Sequence, residues 1–338
     1  MTEDGDRLGK IDAETFERVI APRLGADRDD VLVGPTAGVD FGVFAVGEAA
    51  VVTATDPLSF LPALGHERAG RLALDIVLAD VAVSGVAPTH VTISLTLPQS
   101  FGTDTFEGVW RGIDAHARDL GVAIVAGHTG YYPGVESSWV GAATALGVGD
   151  PDDVVRPDGA RPGDALVVST GPAAEVTGLF ATLFPEELDL PAETVATAQE
   201  RVDDIETVGD ALAAHEAGRV TAMHDATEGG IVGGLSEMAV GAGVRIDLDT
   251  AAVPVGAGVE PVCEAAGVDS WRVTSCGTLL IAVDADDADA VVDALETRGT
   301  AAAVAGRVRE GSGLYVDGEA TDPPETDDSW AAFRRFSE

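Results

Sequence analysis

Two α+β domains in tandem are the architecture this sequence predicts, and three observations carry it. The chain has 338 residues, long for a single core and ample for two. A stretch rich in Pro, Gly and Asp, from Asp150-Pro151-Asp152-Asp153 to Arg161-Pro162-Gly163-Asp164, divides it near the middle. On either side, strand-like and helix-like runs are mixed without strict βαβ alternation. The expected units are therefore residues 1–150, residues 160–315 and an acidic, loosely attached tail over 316–338.

The elements are expected in this order. Asp12 to Ala21 has helical periodicity and a polar start. Asp40 to Val46 and Ala49 to Thr55 are apolar runs parted by Gly47-Glu48, the mark of a β-hairpin. His66 to Ser84 repeats its apolar residues near the helical period and stops at Gly85. Thr89 to Leu97 is strand-like up to Pro98, and Phe106 to Leu120 is helical up to Gly121. Val122 to Ala126 is expected as a short buried strand entering a Gly127-His128-Thr129-Gly130 turn, and Val140 to Val148 as another strand. In the second half, Ala165 to Ser169 is a strand leading into the small-residue turn Thr170-Gly171-Pro172-Ala173. Helices are expected over 175–184, 193–215 with a break, 228–242 and 286–297, and strands over 244–249, 277–284 and 302–309.

Composition narrows the function classes. Fifty-eight acidic residues face 20 basic ones, giving a net charge of −38, and Lys10 is the only lysine. The acids are spread through every segment, which fits a solvated surface suited to high salt, as in a halophile, better than an acidic recognition tail. Nucleic-acid binding is not expected, because little is present to neutralise phosphates. A lysine nucleophile or lysine phosphate clamp is not expected either. Phosphates would instead meet backbone N–H groups and carboxylate-bound metal ions. No apolar run approaches the roughly 20 residues of a membrane span. With an acidic start, Met1-Thr2-Glu3-Asp4-Gly5-Asp6, unlike a secretory leader, a cytoplasmic protein is expected. Cys263 and Cys276 lack metal or redox spacing and are expected as small buried hydrophobes.

Several aspartates sit beside glycine-rich turns. Asp40 follows Gly34-Pro35-Thr36-Ala37-Gly38, where missing Cβ atoms allow close approach to a phosphate. Asp56 is expected at a strand end before Pro57. Asp80 lies in the apolar helical run, where a carboxylate needs a partner or a cation. Asp225 belongs to Met223-His224-Asp225-Ala226-Thr227-Glu228-Gly229-Gly230, just ahead of a helix. Each alone also fits a turn former or N-cap. Together they make an oxygen-ligand set of the kind magnesium takes with bound phosphates. His128 and His224 are the histidines with polar-site character; His66, His90, His116 and His215 have packing or surface character.

In order, Gly34-Pro35-x-x-Gly38-x-Asp40, Thr55-Asp56-Pro57, Ala79-Asp80-Val81-Ala82-x-x-Gly85, Ala126-Gly127-His128-Thr129 and the Met223–Gly230 block resemble the aminoimidazole ribonucleotide (AIR) synthetase superfamily, in its HypE-like, AIR synthase-related branch. The resemblance covers about residues 30–310. It implies an N-terminal domain that pairs with a second subunit into a dimeric β-barrel, a C-terminal α+β domain, and ATP with Mg²⁺ between them. It implies Asp40, Asp56 and Asp80 near the metal, and Gly34, Gly38, Asp40, Thr129 and Gly229 near the nucleotide. Asp225, Thr227 and His128 would be the catalytic residues. The implied chemistry is phosphorylation of an amide-type oxygen on a small-molecule substrate. The alternatives are a kinase like thiamine-monophosphate kinase, or a nucleotide-binding regulator with lost catalysis. The sequence departs from the pattern at Ala79, at Gly130 and at its end, Arg334-Arg335-Phe336-Ser337-Glu338. There HypE carries a terminal cysteine, so HypE's reaction on its own tail is not expected.

Overall fold

In the computed structural model, residues 9–11, 13–135 and 138–337 are described. The first half opens on a short helical turn, α1 (Ala13–Thr15), widening into a π turn over Phe16–Ile20. Of the helix expected there, Asp12 lies outside the described residues. Six strands follow: β1 (Val31–Val33), β2 (Gly42–Val46), β3 (Ala49–Ser59), β4 (Pro88–Pro98), β5 (Ala123–Tyr132) and β6 (Trp139–Gly149). They form one sheet in the order β1-β2-β3-β6-β4-β5, antiparallel except for the β4–β5 pair. The β2–β3 hairpin turns at Gly47, whose φ of 66° is one glycine adopts without strain.

Helices α2 (His66–Ala82) and α3 (Thr103–Asp119) pack on each other beside this sheet. Glycines make the close crossing possible. A Cβ at Gly70 would stand 2.1 Å from the Val109 carbonyl oxygen, and one at Gly112 would stand 1.9 Å from that of Glu67.

The second sheet has seven strands in the order β13-β12-β9-β11-β7-β10-β8. They are β7 (Ala165–Ser169), β8 (Val220–Asp225), β9 (Arg245–Leu248), β10 (Leu279–Val283), β11 (Ala302–Arg309), β12 (Gly313–Val316) and β13 (Glu319–Thr321). Only β9–β12 is parallel. Every residue of β7 and β10 is buried, in keeping with their unbroken apolar runs. Helices α4 (Ala174–Leu183), α5 (Ala192–Gln199), α6 (Thr207–Ala217), α7 (Gly230–Ala242), α8 (Val259–Ala266), α9 (Ala288–Arg298) and α10 (Asp328–Ser337) complete it. One apolar cluster runs from Val77 and Leu78 of α2 to Val208 and Ala211 of α6 and on to Ile281, so the two halves share a core. The buried Asp75 carboxylate crosses that seam, 2.9 Å from His116 Nε2 and 3.2 Å from the Thr207 N–H that donates to it.

Several expectations are corrected. The Gly127–Gly130 segment is not a turn: it continues β5, an exposed edge strand, so Val122–Ala126 is no buried strand end. Asp56 and Pro57 lie inside β3, paired with Ala143 and Ala142. The first sheet is open within one chain, with β1 and β5 at its edges, and no closed barrel forms among the described residues. Residues 316–337 are not a loose tail. They include β13 and α10, whose Phe333 and Phe336 rings sit 5.3 and 5.4 Å from that of Phe184. Its acidic, Pro-containing composition suggested loose attachment, yet Phe333 and Phe336 have helical spacing, and Phe336 meets Phe180 of α4. Strand β8 and helix α8 were also missed, while the break within 193–215 falls at the 3₁₀ turn Glu200–Asp204.

Candidate active site in the cleft between the two sheets

Four aspartates from four elements meet where the halves face each other. Asp40 stands on the loop entering β2, Asp56 inside β3, Asp80 on the inner face of α2, and Asp225 at the end of β8. Gly38, with φ of 75°, turns the first loop so closely against α7 that an added Cβ would lie 3.2 Å from Glu237 Cβ. Asp80 and Asp225 are only 4% and 3% exposed. A carboxylate oxygen of Asp40, one of Asp225 and a ring nitrogen of His224 all lie within 4.8 Å of one another.

The charges are interdependent. Burial, then the carboxylates of Asp225, Asp56 and Asp40, push the Asp80 carboxyl well above its ordinary range. Burial also raises Asp56, partly offset by a hydrogen bond with Asp80, a bond that needs one proton between the two acids. Asp40 behaves oppositely: burial would raise it, but the Lys10 ammonium and His224 hold it below its usual value. His224 pays for burial too, yet Asp225 and Glu237 outweigh that and carry its pKa to about 10. Its Nε2 lies 2.9 Å from Glu237 Oε2, and its Nδ1 lies 3.6 Å from Asp225 Oδ1, beyond hydrogen-bond length. A histidine held as a cation is a poor metal ligand, so the donors suited to a divalent ion here are aspartate oxygens. Asp225 Oδ1 is buried without a hydrogen bond, the condition of an oxygen awaiting a cation or a ligand donor. The residues present thus fit magnesium.

Lys10 was not singled out as a site residue, yet it lies at this cluster. The only lysine of the chain reaches into this cluster, with Nζ 3.3 Å from Asp40 Oδ1 and 3.5 Å from Thr227 Oγ1. Its backbone N–H donates to Glu228 Oε2 at 2.8 Å. Gly9 has φ of 85°, and a Cβ there would stand 2.7 Å from Glu228 Oε2 and 3.1 Å from Trp330 Nε1. Only glycine lets the chain pass so close. In the sequence Lys10 carried two signals, its uniqueness, which argued against a lysine phosphate clamp, and Gly5-x-x-x-Gly9-Lys10, whose spacing is wrong for a P-loop.

Asp40, Asp56 and Asp80 border a cavity of about 320 Å³, whose lining does not include Asp225. Its polar end carries Lys10, Asp40, Asp56, Asp80, Thr227 and Glu228. Its other walls are apolar: Leu72 and Ile76 of α2, Leu179 and Phe180 of α4, and Phe333 of α10. Trp139 and Trp330 flank it with ring centroids 6.2 Å apart. One further acid enters it. Glu175 accepts hydrogen bonds from Thr274 Oγ1 at 2.7 Å and from the Cys276 N–H at 3.3 Å, while burial raises its carboxyl. Glu175, Thr274, Trp139 and Trp330 were not singled out in the sequence. They belong to no short motif, and only the packing of α4 and α10 brings them together. Cys263 and Cys276 are both free and buried, as expected.

Not every expected residue is here. His128 and Thr129 lie exposed on β5, where His128 Nε2 is 2.7 Å from the Tyr132 hydroxyl, and neither lines the cavity. Gly34 and Gly38 shape the loop before Asp40 without lining the cavity. Gly229 donates its N–H to Asp327 Oδ2 at 2.9 Å, tying the start of α7 to the segment before α10.

Known proteins are similar to this chain in sequence and fold. Residues 38–148 match the family described as AIR synthase related protein, N-terminal domain, and residues 161–319 match its C-terminal domain. A putative hydrogenase expression/formation protein of Methanocaldococcus jannaschii is 27% identical over 289 residues, 85% of this chain and 84% of its own. Carbamoyl dehydratase HypE of Rhizobium leguminosarum bv. viciae is 30% identical over 285 residues, 83% and 79% of the two chains. The crystal structure of E. coli HypE, a hydrogenase maturation protein, superposes with a TM-score of 0.70 at 26% identity, over 82% of this chain and 86% of that one. AaThiL complexed with AMPPCP and TMP superposes with a TM-score of 0.70 at 22% identity, over 86% and 91%, and so shares the fold.

Proposed function

We propose, for a chain that belongs to the AIR synthase-related family, an ATP- and Mg²⁺-dependent enzyme that activates an amide-type oxygen of a small molecule by phosphoryl transfer. One observation carries this reading: Asp40, Asp56 and Asp80, far apart in sequence, converge with the single lysine at a largely apolar cavity, with Asp225 buried beside Asp40 just outside its lining. Such a site suits a triphosphate at one end and an organic acceptor at the other.

Asp40, Asp56, Asp80 and Asp225 would hold the metal, which supplies neutralisation of phosphate charge when bound. Lys10 would contact phosphate oxygens, since its ammonium already bridges the loop before β2 and the loop after β8. Thr227 would orient the same group through its hydroxyl. An amide oxygen positioned in the cavity would attack the γ-phosphorus as the bond to the β–γ bridging oxygen breaks, releasing ADP. The amide nitrogen would lose one proton as its oxygen is phosphorylated. Phosphate would then leave with that oxygen in one of two ways. Either it takes the second N–H proton, which completes dehydration, or it is displaced by an internal amine that bonds to the same carbon and gives up its proton, which completes cyclisation. The apolar walls and the two tryptophans would exclude water from this path. The supporting relative is a carbamoyl dehydratase by name, which is chemistry of this kind.

Calorimetry with ATP and Mg²⁺ in molar KCl, followed by ADP release over a panel of amides and thioamides, tests the reading. Micromolar nucleotide binding with amide-stimulated ADP release is expected. Absence of nucleotide binding to folded protein would sink it. A second reading, a small-molecule kinase, is favoured by the Trp139–Trp330 pair, which would stack on an aromatic acceptor. Mass analysis separates them: the kinase leaves a phosphorylated product, the dehydratase a product lighter by water.

A homodimer is part of the proposal. The exposed edge strand β5, with Val125 54% and Tyr131 50% exposed, is a template for pairing with a second copy. Such pairing would set His128 and Thr129 at a subunit boundary. A cytoplasmic, salt-adapted enzyme is the matching setting. Among the described residues no helix is long and apolar enough to cross a membrane.

A further inference from the structure

The apolar part of the cavity holds one polar group that the phosphoryl transfer does not use. Helix α4 turns a single face to the cavity through Glu175, Val176, Leu179, Phe180 and Leu183, which recur at the helical period. The first turn of α4 thus sets a carboxylate into a wall that is otherwise hydrocarbon.

The two oxygens of Glu175 differ. Thr274 Oγ1 at 2.7 Å and the Cys276 N–H at 3.3 Å both donate to Oε2. Those bonds, together with the preference for an acid in a helix's first turn, give Oε2 a structural task. Oε1 makes no hydrogen bond, and it is not among the polar atoms sealed inside the protein. Water can serve it while the cavity holds water. An organic molecule that displaced this water without bringing a donor would strand a carboxylate oxygen against hydrocarbon, which is costly.

Charge narrows the molecule further. Asp40, Asp56, Asp80, Glu175 and Glu228 all border the cavity. Among the described residues Lys10 is the one cation that lines it, and no arginine or histidine does. The Lys10 ammonium is engaged by Asp40, Glu237, Asp225 and Asp80. A ligand carboxylate or phosphate ester at the α4 wall would therefore meet Glu175 with no cation to offset the repulsion.

Given the phosphoryl-transfer reading, on which this rests, we propose that Glu175 determines which acceptor enters. The α4 wall takes an uncharged, apolar-bodied molecule that donates an N–H to Glu175 Oε1, and it rejects acceptors carrying a carboxylate or phosphate there.

The test is ligand-detected NMR titration of the full chain at pH 8 in molar KCl with EDTA. The probes are benzamide, acetophenone and benzoate, which share a ring and differ in donor and charge. EDTA keeps benzoate from binding through a metal on the aspartates. Wild type should bind benzamide about tenfold or more tighter than either of the others. In Glu175→Gln the amide carbonyl can take over the bonds from Thr274 and Cys276, which turns its NH₂ to the cavity. The preference for benzamide over benzoate should then fall by about tenfold or more. If Glu175→Gln fails to fold, the wild-type comparison decides by itself. No benzamide binding, equal binding of benzoate or acetophenone in wild type, or an unchanged preference in Glu175→Gln would overturn the proposal. A parallel titration with ATP and Mg²⁺, without EDTA, separates the two readings. Nucleotide binding without any preference among the probes fails this inference alone. The preference without nucleotide binding fails the phosphoryl-transfer reading and leaves Glu175 as a selector of ligands.

Discussion

Lys10 Nζ lies 3.3 Å from Asp40 Oδ1, and no other lysine exists in the chain. A side chain used once in 338 residues and placed against a buried acidic cluster is placed for charge. The Lys10 side chain is half-exposed, so it can exchange an aspartate partner for a ligand oxygen at small cost.

Replacing Lys10 with Ala should weaken ATP binding by about tenfold to a hundredfold, in line with roughly 1.5–3 kcal/mol for a hydrogen bond to a charged group. Lys10→Arg should recover part of it. Calorimetry at fixed salt reads both, and an unchanged affinity in Lys10→Ala would remove Lys10 from the site.

Asp80→Asn should separate stability from activity. The carboxyl of Asp80 is pushed up by burial and by its acidic neighbours, so its charged form costs folding free energy at neutral pH. That group favours the fold below the ordinary carboxylate range and loses its contribution as pH rises. The neutral amide should therefore raise the ligand-free melting temperature by about 2 °C or more while abolishing nucleotide turnover. Differential scanning fluorimetry beside an ADP-release assay checks both halves.

His224 gives a dependence of the same sign in a higher pH window. Its pKa rises from 6.5 to about 10 in the fold, so the stability it contributes is complete below 6.5 and fades as pH climbs through about 10. The denaturation midpoint of the wild type should fall between pH 7 and pH 10. In His224→Gln that fall should be shallower, and equal slopes would show that the ring carries no charge.

Asp75→Ala should loosen the seam between the halves without touching the acidic cluster. It strands the His116 ring and the Thr207 N–H, a loss of roughly 2–4 kcal/mol for two buried hydrogen bonds. Urea denaturation should show the loss, whereas nucleotide affinity per folded molecule should hold.

Raising KCl from 0.1 M to above 1 M should raise the melting temperature of the wild type, because ions screen repulsion among 58 acids. A melting temperature independent of salt would argue against a salt-adapted surface.

The amino-acid sequence by itself determined the two-part α+β layout, because apolar periodicity and Gly or Pro stops are local properties. The β2–β3 hairpin around Gly47, the α2 helix ending before Gly85 and the buried β7 are each written in one short continuous stretch of sequence. It also marked Asp40, Asp56, Asp80 and Asp225 as acids out of place. Only the tertiary structure decided that these four meet, since their distances depend on long-range packing of α2 against β3 and α6. The same packing brought in Lys10, Glu175 and Trp330, and it put His128 on an outer strand. A glycine-rich run such as Gly127–Gly130 reads locally as a turn, but a neighbour such as β4 can supply the hydrogen bonds that make it a strand.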